Sequence, residues 1–182
     1  MVKALKFIWT TVTNLVLVVI VALAILLVGV RLIGLRPFVV LSGSMEPTYH
    51  VGSMIYVKSV DPQSIEVGDP ITFVINEDLD VATHRVIEID AENQHFYTKG
   101  DANDVADGSP VHFNNLVGKP VFTIPQLGYF SDWLTNPPGM YIAGTAMAIF
   151  IILLFVPDLL AKADEADRKA AEKKKQQDTA DV

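Results

Sequence analysis

The stretch Ser42-Gly43-Ser44-Met45-Glu46-Pro47-Thr48 places a serine in a tight turn punctuated by glycine and proline. It follows a long apolar segment by about ten residues. A serine hydroxyl is a poor nucleophile until a neighbouring base takes its proton. Four histidines could supply that base: His50, His84, His95 and His112. His84 stands out by context, in the middle of Thr83-His84-Arg85-Val86, a segment of alternating polar and apolar residues. His95 and His112 lie in other short strands, and His50 is only six residues from Ser44. A base needs a third group to fix its tautomer and to stabilise its charged form. The acidic loop Gly100-Asp101-Ala102-Asn103-Asp104-Val105-Ala106-Asp107 offers carboxylates for that task. The same loop begins like a calcium-binding loop, with Asp101, Asn103 and Asp107. However, Val105 occupies a ligand position, Ala106 replaces the turn glycine, and His112 stands where a bidentate glutamate belongs. No metal and no cofactor is expected.

These residues must be positioned by the elements around them, and hydropathy sets the frame. The 182 residues are 51% hydrophobic, and most of that content lies in two blocks. Val12 to Val30 carries no charge, and about 20 apolar residues span the ~30 Å hydrocarbon core of a bilayer. The run continues past the cleavage-like Ala22-Leu23-Ala24, further than the ~7–15 apolar residues of a cleaved leader. An uncleaved anchor is therefore expected over residues 1–33, including its short stub. A second block, Met140 to Val156, is entered through Pro137-Pro138-Gly139 and left at Pro157-Asp158. It predicts a second membrane helix over 139–157, with Trp133 and Tyr141 near the interface. The tail over 158–182 is rich in Ala, Lys and acids, without an apolar stripe, and reads as a solvated, frayed helix or disorder. Its six basic residues, with Lys3 and Lys6 at the other end, predict that both termini are cytoplasmic. Arg31 and Arg36 run against that bias. Two spans still put both termini on one side, so the segment between them is expected to be extracytoplasmic.

That segment, 34–138, alternates with period two and is broken by turn signals. Strands are expected over 53–60, 70–75, 81–90, 94–99, 111–113 and 118–124. Turns fall at Asp61-Pro62, Gly68-Asp69, 76–80, Gly100-Asp101 and Asp107-Gly108. The predicted class is mainly β: a compact all-β domain of short strands flanked by two transmembrane helices. The chain has no cysteine, which excludes thiol catalysis, a disulfide scaffold and cysteine-ligated zinc. The central segment holds five basic residues (Arg36, Lys58, Arg85, Lys99, Lys119) against fourteen acids, a balance that argues against a nucleic-acid partner.

The ordered set Ser42 to Thr48, then Val67-Gly68-Asp69, then Thr83-His84-Arg85-Val86, then Thr98-Lys99-Gly100-Asp101-Ala102-Asn103, resembles the type I signal peptidases. It is similar to their archaeal and endoplasmic-reticulum branch, also found in some Gram-positive bacteria, where a histidine stands in place of the bacterial lysine base. The resemblance covers roughly residues 39–125. It implies a membrane-bound serine endopeptidase that removes N-terminal signal peptides after small residues. It implies Ser44 as nucleophile and His84 as general base. Of the loop aspartates, Asp107 is favoured over Asp101, and Asp104 has no counterpart. The Ser44 backbone N–H, with the Ser42 hydroxyl, would form the oxyanion hole. The expected partners are signal-peptide-bearing precursors, the lipid bilayer and, by association, the secretion translocon. The one departure is Pro70, where the family has a β-branched residue; it threatens one edge hydrogen bond. The stretch Arg36 to Leu41 is expected to join a sheet edge that an extended peptide can extend. Two other readings compete. A self-cleaving protease of the repressor type would be soluble and use a lysine base. A catalytically inactive scaffold would bind secretory precursors without cutting them.

Overall fold

The computed structural model describes residues 2–76 and 79–180. The chain divides into two units, one of residues 22–135 and one made of the flanking helical segments, 1–21 and 136–182.

In the helical unit and its continuation, α1 runs Val2–Leu27. The sequence has no proline and no glycine before Gly29, so nothing interrupts the i to i−4 ladder. Among the described residues, Phe7–Leu27 is the one helix long and apolar enough by itself to cross a membrane. Leu15 and Val18 are each 64% exposed, an apolar surface that water would not cover favourably. The helix gives way to a 3-10 turn, Gly29–Ile33, closed by Gly34 at φ 78°. That left-handed C-terminal position is one where glycine carries no Cβ penalty.

The last helix, α3, runs Gly139–Ala180. The apolar block ends at Pro157-Asp158, and the tail beyond it takes the helical one of its two expected forms, the helix continuing through the proline. An interior proline forfeits one backbone hydrogen bond. The Ala-, Lys- and Glu-rich tail that follows consists of strong helix formers, and a Lys169–Glu165 pair at 2.7 Å adds i, i+4 support. Among the described residues, its apolar first part, Gly139–Phe155, has the length and hydropathy to cross a membrane only when counted together with the helix before it.

The unit of residues 22–135 is mainly β. Among the described residues seven strands form one antiparallel sheet: β1 Leu35–Val39, β2 Met54–Lys58, β3 Pro70–Val74, β4 Val81–Asp90, β5 His95–Lys99, β6 Val111–His112 and β7 Leu116–Ile124. Their order is β1-β2-β7-β3-β4-β5-β6. The long β7 joins the halves, pairing with β2 through its C-terminal part and with β3 through Leu116 and Gly118. Register shifts at Tyr56/Val57, Thr72/Phe73 and Val86/Glu88 bend the sheet. Its apolar residues therefore collect into separate clusters. One is Ile65, Ile71, Phe73, Val86, Phe96 and Val111, packed on the β3-β4-β5 face. Another holds Met54, Tyr56 and Leu127 against the end of α1, where the Tyr56 hydroxyl donates to the Leu26 carbonyl at 2.9 Å.

The period-two pattern located β2 to β7 to within a few residues. The stretch expected as a sheet edge supplies β1, which is the edge strand beside β2. Pro70 is not on an edge: β3 lies between β7 and β4. Pro70 pairs with Arg85, while the β7 ladder begins at Thr72, so the missing N–H lies beyond that ladder. A short helix, α2 Leu127–Thr135, has no counterpart in the sequence reading. Trp133, expected beside a membrane helix, lies on it, stacked on Phe130.

Candidate active site

The serine turn is built by its apolar neighbours. Between Gly43 and Tyr49 the backbone closes as helical turns, with Glu46 N–H donating to Gly43 O at 3.0 Å and Tyr49 N–H to Met45 O at 2.9 Å. Residues four apart then share a face. Met45 and Tyr49 are both buried against Ile55 and Val57, and Ser44, one position off that face, is left half-exposed. The turn is thus fixed from beneath while its hydroxyl stays accessible. The Ser42 hydroxyl lies 3.2 Å from the Ser44 hydroxyl.

His84 projects from β4 on the same face as buried Val86, two residues along. Its ring meets the edge of Phe73 at 6.2 Å between centroids. Nε2 lies 3.1 Å from Ser44 Oγ, and Nδ1 lies 2.6 Å from Asp107 Oδ2. An ionised carboxylate only accepts, so Nδ1 carries the proton and Nε2 is left as the acceptor facing the serine. The His84 and Asp107 side chains are only 15% and 21% exposed, so water competes weakly for these bonds. The other histidines stand apart from Ser44: His50 pairs with Glu46 on the serine turn, and His95 stacks edge-on against His112 across β5 and β6.

Asp101 lies elsewhere in the network. It takes two hydrogen bonds from the Arg85 guanidinium, Nε at 2.7 Å and Nη2 at 2.6 Å, and one from the Thr48 hydroxyl at 2.5 Å. Arg85 also donates to the Gly68 carbonyl at 2.7 Å. Asp101, β4 and the end of the serine turn are thereby tied into one block. The Arg85 hydrogen bonds hold the Asp101 carboxyl below its usual range, against the opposing effect of burial and with help from Thr48. For Asp69, burial pushes upward, but the bonds from Lys119 and the Glu66 N–H outweigh it and the carboxyl is lowered. Burial raises the Tyr49 phenol.

The acidic loop docks onto the serine turn at its glycine. Ala102 N–H donates to the Ser44 carbonyl at 2.9 Å. A Cβ on Gly100 would lie 2.5 Å from that carbonyl oxygen, so only glycine allows this approach. Asp104 is exposed. Among the described residues no three His, Asp or Glu side chains converge as metal ligands would.

A cleft of about 470 Å³ opens beside Ser44 and His84. Val40 and Leu41 beyond β1 form one side, and Ala82 and Thr83 of β4 another. Two elements of this site carry little signal in the sequence. Arg85 reads as an ordinary strand cation until its partner is known. Thr98 is 1% exposed, and its hydroxyl donates to Asp107 Oδ2 at 2.6 Å. Its one sequence mark is an inward position on β5, in register with Phe96.

Comparison with known proteins bears on what such a site does. The family model of signal peptidase, peptidase S26, matches residues 12–104, a stretch that includes Ser44 and His84 and ends short of Asp107. Signal peptidase I W of Bacillus subtilis is 39% identical over 107 residues, 53% of this chain and 56% of its own. The signal peptidase complex catalytic subunit SEC11 of Zygosaccharomyces rouxii is 31% identical over 110 residues, 54% and 65% of the two chains. The human catalytic subunit SEC11C is 33% identical over 127 residues, 63% and 66%. The chain thus spans a little over half to two thirds of the length of these curated relatives. With the family model matching half of its length, the chain belongs to the signal peptidase family, peptidase S26.

Proposed function

We propose that this protein is a membrane-anchored serine endopeptidase that removes signal peptides from secretory precursors. One observation carries the reading: Ser44 Oγ, His84 and Asp107 form a continuous hydrogen-bonded chain, at 3.1 Å and 2.6 Å, beside an open cleft. In this mechanism Nε2 of His84 takes the Ser44 proton as Oγ attacks the scissile carbonyl. The Ser44 N–H and the Ser42 hydroxyl stabilise the oxyanion, a contribution of about 3 kcal/mol per donor in comparable sites. The imidazolium, held by Asp107, then protonates the leaving amine. Water, deprotonated by the same nitrogen, hydrolyses the acyl-enzyme and restores the serine.

The cleft supports a substrate of extended conformation. An extended peptide presents alternate side chains to one wall, and the wall here is apolar, with Val40, Met45 and Ala82 near Ser44. Such a wall suits small side chains of the Ala-x-Ala kind. The apolar, exposed α1 supports a lipid anchor. A second pass through Gly139–Phe155 would leave both termini in the cytoplasm and residues 34–138 outside, where precursors and the secretion translocon meet the enzyme. The basic residues near both ends of the chain favour that orientation.

The test uses the full chain in detergent micelles with a purified precursor. The parent should release the signal peptide, and Ser44→Ala should leave the precursor uncut. Equal cleavage by the variant would overturn the mechanism. A parent that binds the precursor and never cuts it would favour the scaffold reading instead.

A further inference from the structure

The geometry points to Thr98 as a positioning residue for the hydrolysis: it acts through Asp107 and sets the orientation of the His84 ring. The inference rests on the serine-protease reading above and extends it to a fourth side chain. Residue 98 holds residue 107 at two points. The Thr98 hydroxyl donates to Asp107 Oδ2 at 2.6 Å, and the Thr98 carbonyl accepts from the Asp107 N–H at 2.8 Å. The carboxylate oxygen that takes the threonine hydroxyl is the same one that accepts His84 Nδ1.

Strand register explains the convergence. Thr98 of β5 pairs with Val86 of β4, and His84 precedes Val86 by two residues, on the same face. Thr98 and His84 are therefore diagonal neighbours across the ladder, a separation that side chains bridge readily. The loop from Gly100 returns Asp107 to the space between them. At 1% exposure, the threonine hydroxyl has no water to turn to, so its proton is committed to the carboxylate. The backbone bond fixes where the Asp107 main chain lies, and the hydroxyl fixes the rotation of its carboxylate. That rotation in turn directs the Nδ1–H bond and the aim of Nε2 at Ser44. Thr98 does not line the cleft beside Ser44, so its effect should fall on turnover and not on binding.

The experiment compares Thr98→Val with Thr98→Ser in the full-length protein in micelles, with Ser44→Ala as the inactive reference. Valine keeps the volume and removes the donor; serine keeps the donor. Thr98→Val should lower kcat about tenfold with KM within about twofold, and Thr98→Ser should stay within about threefold of the parent in kcat. A kcat for Thr98→Val within twofold of the parent overturns the assignment. So does an equal fall for both variants, which would point to packing. If Thr98→Val does not fold, Thr98→Ala and Thr98→Ser decide by the same criterion, since both remove the γ-methyl and only one keeps the hydroxyl. Failure of the protease reading looks different: Ser44→Ala would then cleave as well as the parent, whatever Thr98 does.

Discussion

Asp101 and Asp107 stand six residues apart in one loop, yet they serve different neighbours. Asp107 faces the core side of β4 and takes its bonds from His84 and Thr98. Asp101 meets Arg85, the next residue along the same strand, together with Thr48. Side chains alternate across a strand, so consecutive residues 84 and 85 point to opposite faces. The loop places one carboxylate against each. One cluster ends at the Ser44 hydroxyl, whereas the other ends at a guanidinium that ties three backbone segments together. In the proposed mechanism the first would carry the proton transfer, and the second would hold the scaffold around it.

Exchanging the carboxylates for amides tests that division. The largest effect should come from Asp107→Asn, which leaves the shape intact but can no longer favour the Nδ1–H tautomer or the imidazolium. In a comparable triad such a change costs about 10⁴ in kcat. Turnover here should fall by about 10³–10⁴ in a precursor-cleavage assay, with thermal stability changed by less than about 1 kcal/mol. An Asp107→Asn protein of parental activity, with Asp101→Asn inactive, would reverse the two roles.

Asp101→Asn should act first on stability. It removes a charge-assisted pair with Arg85 and a bond from Thr48, a loss of about 2 kcal/mol in denaturant unfolding. Turnover should fall far less than in Asp107→Asn. A loss of activity without any loss of stability would contradict the scaffold role.

The same pair gives a pH dependence. The Asp101 carboxyl is held below its ordinary value by Arg85, so the folded state binds protons less readily than the unfolded chain. The stabilisation is fully present above the unfolded value of about 3.9 and is lost as pH falls through the lower folded value. Asp69, lowered in its balance with Lys119, adds to the same trend. Melting temperature should therefore drop below about pH 4, and Asp101→Asn should flatten that drop. An unchanged acid slope in the variant would remove Asp101 from the account.

Asp104→Asn should do least. The side chain is exposed, and surface changes of this kind stay within about 0.5 kcal/mol. Cleavage within twofold of the parent is expected. A tenfold loss would show that the loop uses a carboxylate beyond these two.

Much of the architecture was legible because its signals are local. An uncharged run from Val12 to Val30 demands a helix of membrane length, and alternation over residues 81–90 demands a strand, whatever lies around them. The strands expected at 53–60, 94–99 and 118–124 appear at Met54–Lys58, His95–Lys99 and Leu116–Ile124. Less legible was α2, nine residues long, whose apolar pattern is too short to separate a helix from a buried strand. The tail beyond Pro157 left two alternatives open, a solvated, frayed helix or disorder; it is helical, because the helix formers beyond the proline outweigh its local stop signal.

The sequence by itself determined which side chains were available. It supplied a turn serine, four histidines, an acidic loop and no thiol. Motif resemblance selected His84 from the four histidines and ranked Asp107 above Asp101. Only the tertiary structure decided which groups meet. Ser44 and His84 are 40 residues apart in sequence, and His84 and Asp107 are 23 apart. Their meeting depends on the register of β4 with β5 and on the close approach of Gly100 to the Ser44 carbonyl. The partners of Arg85 and Thr98 were set in the same way. Hydrogen bonds reach about 3 Å and require direction, so they follow from folded geometry, whereas hydropathy and period act along the chain and can be read before it folds.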